Sequence, residues 1–431
     1  MIKSLLKGTF ILAVTGLVTR VIGFVYKIFL SNLLGAEMLG IYQLVFPVFG
    51  ICYTLFAAGI ETAVSQMIAA KSTDINYHKN IFIKSTTLSL LISLILSITV
   101  YFGSDYIAIS LLGEKASIPS LKSLVYSFPL CGVASCINGC YYGVKKATVP
   151  ALTQLIEQAA RVLFVLAAAF AFSINRPEKL CIYAVYGIGV GEGVSMVYSL
   201  IMIYRFYKKE GKIPYKNQKV LFPIIKISTP LTANKLVISM LHSLETILIP
   251  VMLKKYGLSS SEALSIYGIL TGMAMPFVLF PSTIINSMAV LLIPTISEAN
   301  NNIAKIKHIS NICIVGTFAL GLISTIVFLS FGGNIAAYVF HNPNVEIYIE
   351  TLSFICPILF LYTTLSSIIN GLGKTHITFV ITIISLSIRI ALTIYLVPEQ
   401  GIKGYIISLL VSQLIATLMS FRSYVRCLSK P

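Results

Sequence analysis

Nine ionisable side chains stand inside stretches that are otherwise apolar: Arg20, Lys27, Glu61, Glu157, Arg161, Glu192, Lys235, Glu245 and Arg389. In hydrocarbon such a group costs on the order of 2.5–3.5 kcal/mol on insertion scales, so it faces protein or a water-filled cavity. Arg20 and Lys27 are seven residues apart, two helical turns, and so point the same way about 10 Å apart along the axis. Two cations on one helix face suit an anionic ligand of spread charge, such as a pyrophosphate. The other reading pairs Arg20 with a neighbouring glutamate and lets Lys27 snorkel to the interface. Lys235 and His242 share a face by the same spacing; His242 is either a titrating group or a hydrogen-bonded packing residue. Glu157 and Arg161, four apart, are expected to form a structural ion pair on one helix. Arg389 reads either as a cavity-lining cation or as half of a cross-helix pair.

The elements that carry these charges follow from composition. Of 431 residues, 57% are hydrophobic and 11% charged, and the mean hydropathy is +0.89. A soluble domain has about 25% charged and roughly 45–50% apolar residues, so the solvent for this chain is a bilayer. Disordered, collagen-like and disulfide-framework classes are excluded by the same numbers. Runs of about 20 apolar residues each span a membrane, and twelve are expected, at 8–33, 39–70, 80–102, 120–143, 148–172, 180–206, 222–250, 262–296, 306–330, 346–371, 375–397 and 401–425. The first is expected to be an uncleaved helix rather than a signal peptide, because Arg20 interrupts the run and no small-residue cleavage site follows. Prolines 47, 129, 230, 276, 281 and 357 interrupt several spans and predict kinks.

The net charge of +17 reflects loops, not a polyanion site. Both termini and the connections after even-numbered spans carry 19 Lys and Arg, the opposite connections seven. That asymmetry places both termini in the cytoplasm of a multi-pass cell-membrane protein and argues against nucleic acid as a partner. Connections are short, so a soluble catalytic head and hence an enzyme are not expected. Cys131, Cys136 and Cys140 match neither a zinc knuckle nor a redox pair and are expected to pack in the core. Gly371-Leu372-Gly373-Lys374-Thr375 ends like a phosphate loop, but Ile368 stands where the motif needs glycine and no strand precedes it; ATP is not an expected ligand. No metal or cofactor is expected, while coupling to the membrane potential or a monovalent cation is compatible with the charges.

The chain repeats itself. At an offset of 225, Ile41-Tyr42 falls on Ile266-Tyr267, and Glu245 takes the place of Arg20. Opposite charges at repeat-related sites suggest an interlobe latch or an ion-coupling site, with Glu61 as the second candidate carboxylate. At 228, Pro129 falls on Pro357, Gly143 on Gly371, Lys146 on Lys374 and Arg161 on Arg389, with Ser385 in place of Glu157. Six spans per half give both halves the same orientation, the parallel type of transporter repeat. The expected architecture is all-α, with two pseudo-symmetric six-helix lobes, 1–206 and 222–431, around a central cavity, joined by a basic linker at 207–221.

The stretch Thr19-Arg20-Val21-Ile22-Gly23-Phe24, then Leu34-Gly35-Ala36-Glu37-Met38-Leu39-Gly40-Ile41-Tyr42, resembles the opening of the stage V sporulation protein B branch of polysaccharide exporters. Ala58-Gly59-Ile60, Ala63-Val64-Ser65 and Asn370-Gly371-Leu372-Gly373-Lys374 continue the likeness. That branch belongs to the multidrug/oligosaccharidyl-lipid/polysaccharide (MOP) flippase superfamily, with the MurJ-type lipid II flippases. The resemblance implies a V-shaped twelve-helix core moving an anionic lipid-linked glycan, undecaprenyl-pyrophosphate-linked, by alternating access for cell-wall or spore-cortex synthesis. It implies that Arg20 engages the pyrophosphate, the second family arginine falling at Tyr26, one residue before Lys27. With the charge pattern it nominates Arg20, Lys27, Lys235 and Arg389 for the substrate. Many relatives have two further C-terminal helices that bind the lipid tail; this chain is expected to stop after span 12. The alternative is a cation-coupled multidrug exporter of the same superfamily. A membrane-embedded glycosyltransferase or scaffold is disfavoured, since no acidic metal motif lies at a membrane face.

Overall fold

The computed structural model describes residues 2–71, 74–171, 176–209, 217–299 and 302–429. Lys212 and Lys216 of the expected linker, and Lys430, lie outside them. Among the described residues every regular element is helical, the outcome lipid enforces by leaving no water for unpaired backbone groups. The main helices are α1 (Ile2–Tyr53), α2 (Gly59–Ala70), α3 (Ile75–Phe102), α4 (Ser127–Gly143), α5 (Thr148–Leu166), α6 (Pro177–Lys209), α7 (Leu221–Lys255), α8 (Ser260–Gly268), α9 (Ser282–Glu298), α10 (Ile303–Tyr338), α11 (Ile355–Gly371), α12 (Thr375–Gln400) and α13 (Ile402–Ser429).

Eight helices are long and apolar enough to cross a membrane, and three bent pairs raise the number to as many as eleven. One of the eight runs from Val14 to Ala70, nearly three times what a crossing needs. It is broken at Gly35, whose φ of 72° and ψ of 174° belong to a region open in practice to glycine alone. Counting the two sides of Gly35 separately would make twelve.

The repeat is visible in the backbone. Lys115–Leu124 meets α4 at a 44° bend, and Val345–Ser353 meets α11 at 48°. Pro129 and Pro357 are each the third residue of their helix, and each lacks the N–H that the carbonyl four residues back would accept. That carbonyl is satisfied from outside in both cases. Ser97 on α3 donates to Val125 at 2.9 Å, and Thr325 on α10 donates to Ser353 at 2.8 Å. Both donor and acceptor obey the offset of 228. Toward the N-terminus of Ser97, α3 buries Ser85, Ser89 and Ser93, a stripe of small residues one turn apart that lets helices approach closely. Ser89 donates to the carbonyls of Phe56 and Gly132. In the second half a Cβ on Gly321, which stands at the position of Ser93, would lie 2.4 Å from the Cα of Pro357.

Two compact units result, Met1–Ile22 with Leu44–Ser243 and Gly23–Gln43 with Leu244–Pro431. Their division differs from the expected lobes at 1–206 and 222–431, because α7 runs unbroken for 35 residues and contributes to both. Residues 23–43 join the second unit through close backbone packing on α8. A Cβ on Gly268 would come within 2.0 Å of the Ala36 carbonyl, and one on Gly40 within 2.3 Å of the Leu264 carbonyl. In the first unit Gly59 plays the same part, its missing Cβ lying 1.9 Å from Thr232 Oγ1 on α7.

Candidate functional site

In the first unit, α5 brings Glu157 and Arg161 together as a salt bridge one turn apart, both only partly exposed. Gly191 of α6 packs on this pair, a Cβ there reaching 2.7 Å from the Glu157 carbonyl. The next residue, Glu192, stands close enough to Glu157 and Arg161 for their charges to bear on it, and within hydrogen-bond reach of the Cys131 thiol. Arg161 is therefore held among carboxylates.

Lys235 is held differently. Its ammonium donates to the Ala58 carbonyl at 2.7 Å and to Thr62 Oγ1 at 2.9 Å, and Glu61 lies within electrostatic reach. Ala58 ends a π-helical turn, Thr54–Ala58, a departure from regular geometry found mostly at functional positions. Gly59 makes the arrangement possible, since any side chain there would displace α7. Lys235 remains exposed, so two of its hydrogen bonds fix the side chain while its charge stays open. Arg20 is exposed and makes no ion pair or hydrogen bond among the described residues. His242, on the same face of α7, is exposed as well.

In the second unit Lys27 is half-buried, near Phe24, whose ring stacks on Phe280 at 4.4 Å. Arg389, nominated with Arg20, Lys27 and Lys235 for an anionic substrate, lies in a buried network. Its Nη1 donates to Glu245 at 3.0 Å, with the two side chains 11% and 7% exposed. Its Nε donates to Ser412 Oγ at 2.8 Å and its Nη2 reaches Gln413 Oε1 at 3.4 Å. Tyr405 completes the site by donating to Glu245 at 2.9 Å. Because Ser385 replaces the local glutamate of the first repeat, Arg389 finds its carboxylate on α7. Of the two readings open for Arg389, the geometry is that of the cross-helix pair. Glu245, expected in a latch or coupling role, serves here as the counter-ion of that pair.

Sequence reasoning missed Tyr405, Ser412 and Gln413, although a hydroxyl or amide recurs on one face of α13 at 405, 408, 412 and 413. It also missed Tyr53, which shares a local electrostatic environment with Glu61 and Glu192. No group of three or more His, Cys, Asp or Glu side chains among the described residues is placed to hold a metal ion. The cysteines expected in the core are there: Cys131, Cys136 and Cys140 are buried.

The model of the polysaccharide biosynthesis protein family matches residues 5–300, and the MatE model matches residues 235–395. Stage V sporulation protein B of Bacillus subtilis is 25% identical over 434 aligned positions, covering 97% of this chain and 83% of that protein. Lipid II flippase MurJ of the same organism is 22% identical, covering 98% and 82%. Among solved structures, an inward-facing multidrug resistance MATE family transporter of the MOP superfamily superposes with a TM-score of 0.79 at 16% identity, covering 97% and 98%. A MOP superfamily transporter from Pyrococcus furiosus, described as having a binding pocket of reverse polarity, gives 0.69 at 16% identity, covering 98% and 96%. With a family model spanning more than half its length and a fold shared end to end with these transporters, the chain belongs to the polysaccharide biosynthesis protein family and has the MOP transporter fold.

Proposed function

We propose that this chain is a flippase that moves an anionic lipid-linked oligosaccharide across the cytoplasmic membrane by alternating access, with both termini in the cytoplasm. The reading is carried by Lys235, an ammonium fixed by two hydrogen bonds beside a π-helical turn yet exposed within an apolar span. An open cation costs too much against lipid; an aqueous path with a phosphate ligand removes that cost. Arg20 offers a second open cation in the same unit, and Lys27, half-buried, lies two turns further along the same helix. The names of the relatives, a sporulation protein and a lipid II flippase, agree with a lipid-linked glycan of cell-wall or spore-cortex synthesis. Coupling to the membrane potential or a monovalent cation belongs to this proposal through Glu61, which stands beside Lys235.

The competing reading, export of cationic drugs, draws on the multidrug resistance transporters that share the fold and on the carboxylates Glu61, Glu157 and Glu192. Proteoliposomes carrying a fluorescent undecaprenyl-pyrophosphate glycan separate the two. A hydrogen bond to a charged partner contributes about 1.5–3 kcal/mol, so Lys235→Gln and Arg20→Gln should each slow lipid transfer about ten- to a hundredfold. Lys235→Arg should retain most of it. Unchanged transfer in the double Gln variant, or export of tetraphenylphosphonium without lipid transfer by the wild type, overturns the proposal.

A further inference from the structure

One end of the first unit carries a platform of rings and ammonium groups that the transport reading does not use. Four elements terminate there: α2 ends at Ala70, α3 begins at Ile75, α4 ends at Gly143 and α6 ends at Lys209. Above the buried cluster of Ile68, Ile81, Tyr141 and Ile203 lie half-buried rings of Tyr77, Phe82, Phe206 and Tyr207. The rings touch in sequence, Tyr141 to Phe206 at 6.1 Å, Phe206 to Tyr207 at 5.4 Å and Tyr207 to Phe82 at 6.1 Å.

Three lysines sit over this layer. Lys146 Nζ lies 4.7 Å from the Phe206 centroid, Lys79 Nζ 5.6 Å from that of Tyr207 and Lys71 Nζ 4.8 Å from that of Tyr77. Lys145, Lys208, Lys209 and Lys219 are exposed on neighbouring positions, and the backbone before α7 is tied in by Gln218 N donating to Asn80 Oδ1 at 2.9 Å. Asp74 is the one carboxylate described at these helix ends, and it is engaged in capping α3 through the Tyr77 N–H. Among the described residues positive charge therefore outweighs negative at this end, and the rings order it.

We propose that this platform binds the phosphodiester headgroup of an anionic phospholipid of the adjoining leaflet. The rings mark the depth at which hydrocarbon gives way to headgroups, where amphipathic aromatics collect. Ammonium groups held at that depth meet the phosphate plane without extending into bulk water. The partner's chemistry is thus a negatively charged glycerophospholipid, its acyl chains against the outer wall of the unit. The inference is independent of what the protein transports.

The test uses the full chain purified in detergent with dioleoylphosphatidylglycerol and, separately, dioleoylphosphatidylcholine, with retained lipid counted by native mass spectrometry. Each lysine near an anionic surface tightens binding about fivefold, so Lys71→Gln/Lys79→Gln/Lys146→Gln should weaken phosphatidylglycerol retention on the order of a hundredfold. A control triple in the second unit, Lys305→Gln/Lys307→Gln/Lys374→Gln, removes the same charge and should leave the tight component in place. If the platform triple does not fold, the exposed single Lys146→Gln should still lower affinity about fivefold. Equal losses in the two triples, no loss in the platform variants, equal retention of phosphatidylcholine, or displacement by millimolar inorganic phosphate would each overturn the proposal.

Discussion

Removing one member of the Glu245–Arg389 pair should damage the second unit far more than removing both. The guanidinium uses three nitrogens, donating to Glu245, Ser412 and Gln413, and Glu245 also receives Tyr405. Glu245→Leu strands a buried cation, a change that costs about 3–5 kcal/mol. Glu245→Gln keeps an acceptor for both donors and loses only the charge. Hydrogen bonds to charged groups contribute about 1.5–3 kcal/mol against 0.5–1.5 for neutral ones, so the glutamine variant should lose about 1–1.5 kcal/mol by that difference. Replacing the pair by apolar side chains of similar volume, Glu245→Leu with Arg389→Met, removes the stranded charge and should recover most of the stability. Reversible unfolding in mixed dodecyl sulfate micelles compares the wild type with these variants, and Arg389→Met alone closes the double-mutant cycle with Glu245→Leu and the double variant. The expected coupling is on the order of 3 kcal/mol. Additive single variants, or a leucine variant no worse than the glutamine one, would refute the claim that Arg389 needs this carboxylate.

Three further outcomes follow from the packing. Ser97→Ala and Thr325→Val add no bulk but deprive the Val125 and Ser353 carbonyls of a donor, each costing about 1 kcal/mol in the same unfolding assay. Gly268→Ala forces a methyl onto the Ala36 carbonyl and should destabilise by about 1–3 kcal/mol, whereas Gly316→Ala, with nothing within 4 Å of its Cβ, should not. Asn80→Leu frees the backbone at Gln218 and should speed tryptic cleavage after Lys219 about tenfold, the equivalent of one lost hydrogen bond.

The spans were legible because hydrocarbon tolerates so few sequences; apolar length and charge punctuation locate them without reference to packing. The repeat was legible for a related reason. Pro129 and Pro357 mark bends that each half must make, and their spacing of 228 is the spacing of the bends themselves. The Glu157–Arg161 pair could be read because a helix dictates which residues meet at four apart. The partner of Arg389 could not, since Glu245 is 144 residues away and only tertiary packing brings α7 to α12. The exchange of residues 23–43 into the second unit was hidden too. It depends on glycine faces at 40 and 268, whose meaning lies in what approaches them and not in their own type.

The row of small side chains on α3 has a mechanical corollary. Leucine-lined contacts can yield by rotamer hopping, but Ser85, Ser89 and Ser93 have almost nothing to rotate, and the backbone behind Gly132 is already at the hydroxyl of Ser89. Such a joint is stiff in compression and brittle in shear. The pair α3 and α4 should therefore travel as a single strut during any cycle of work, leaving deformation to the looser joints lined by larger side chains.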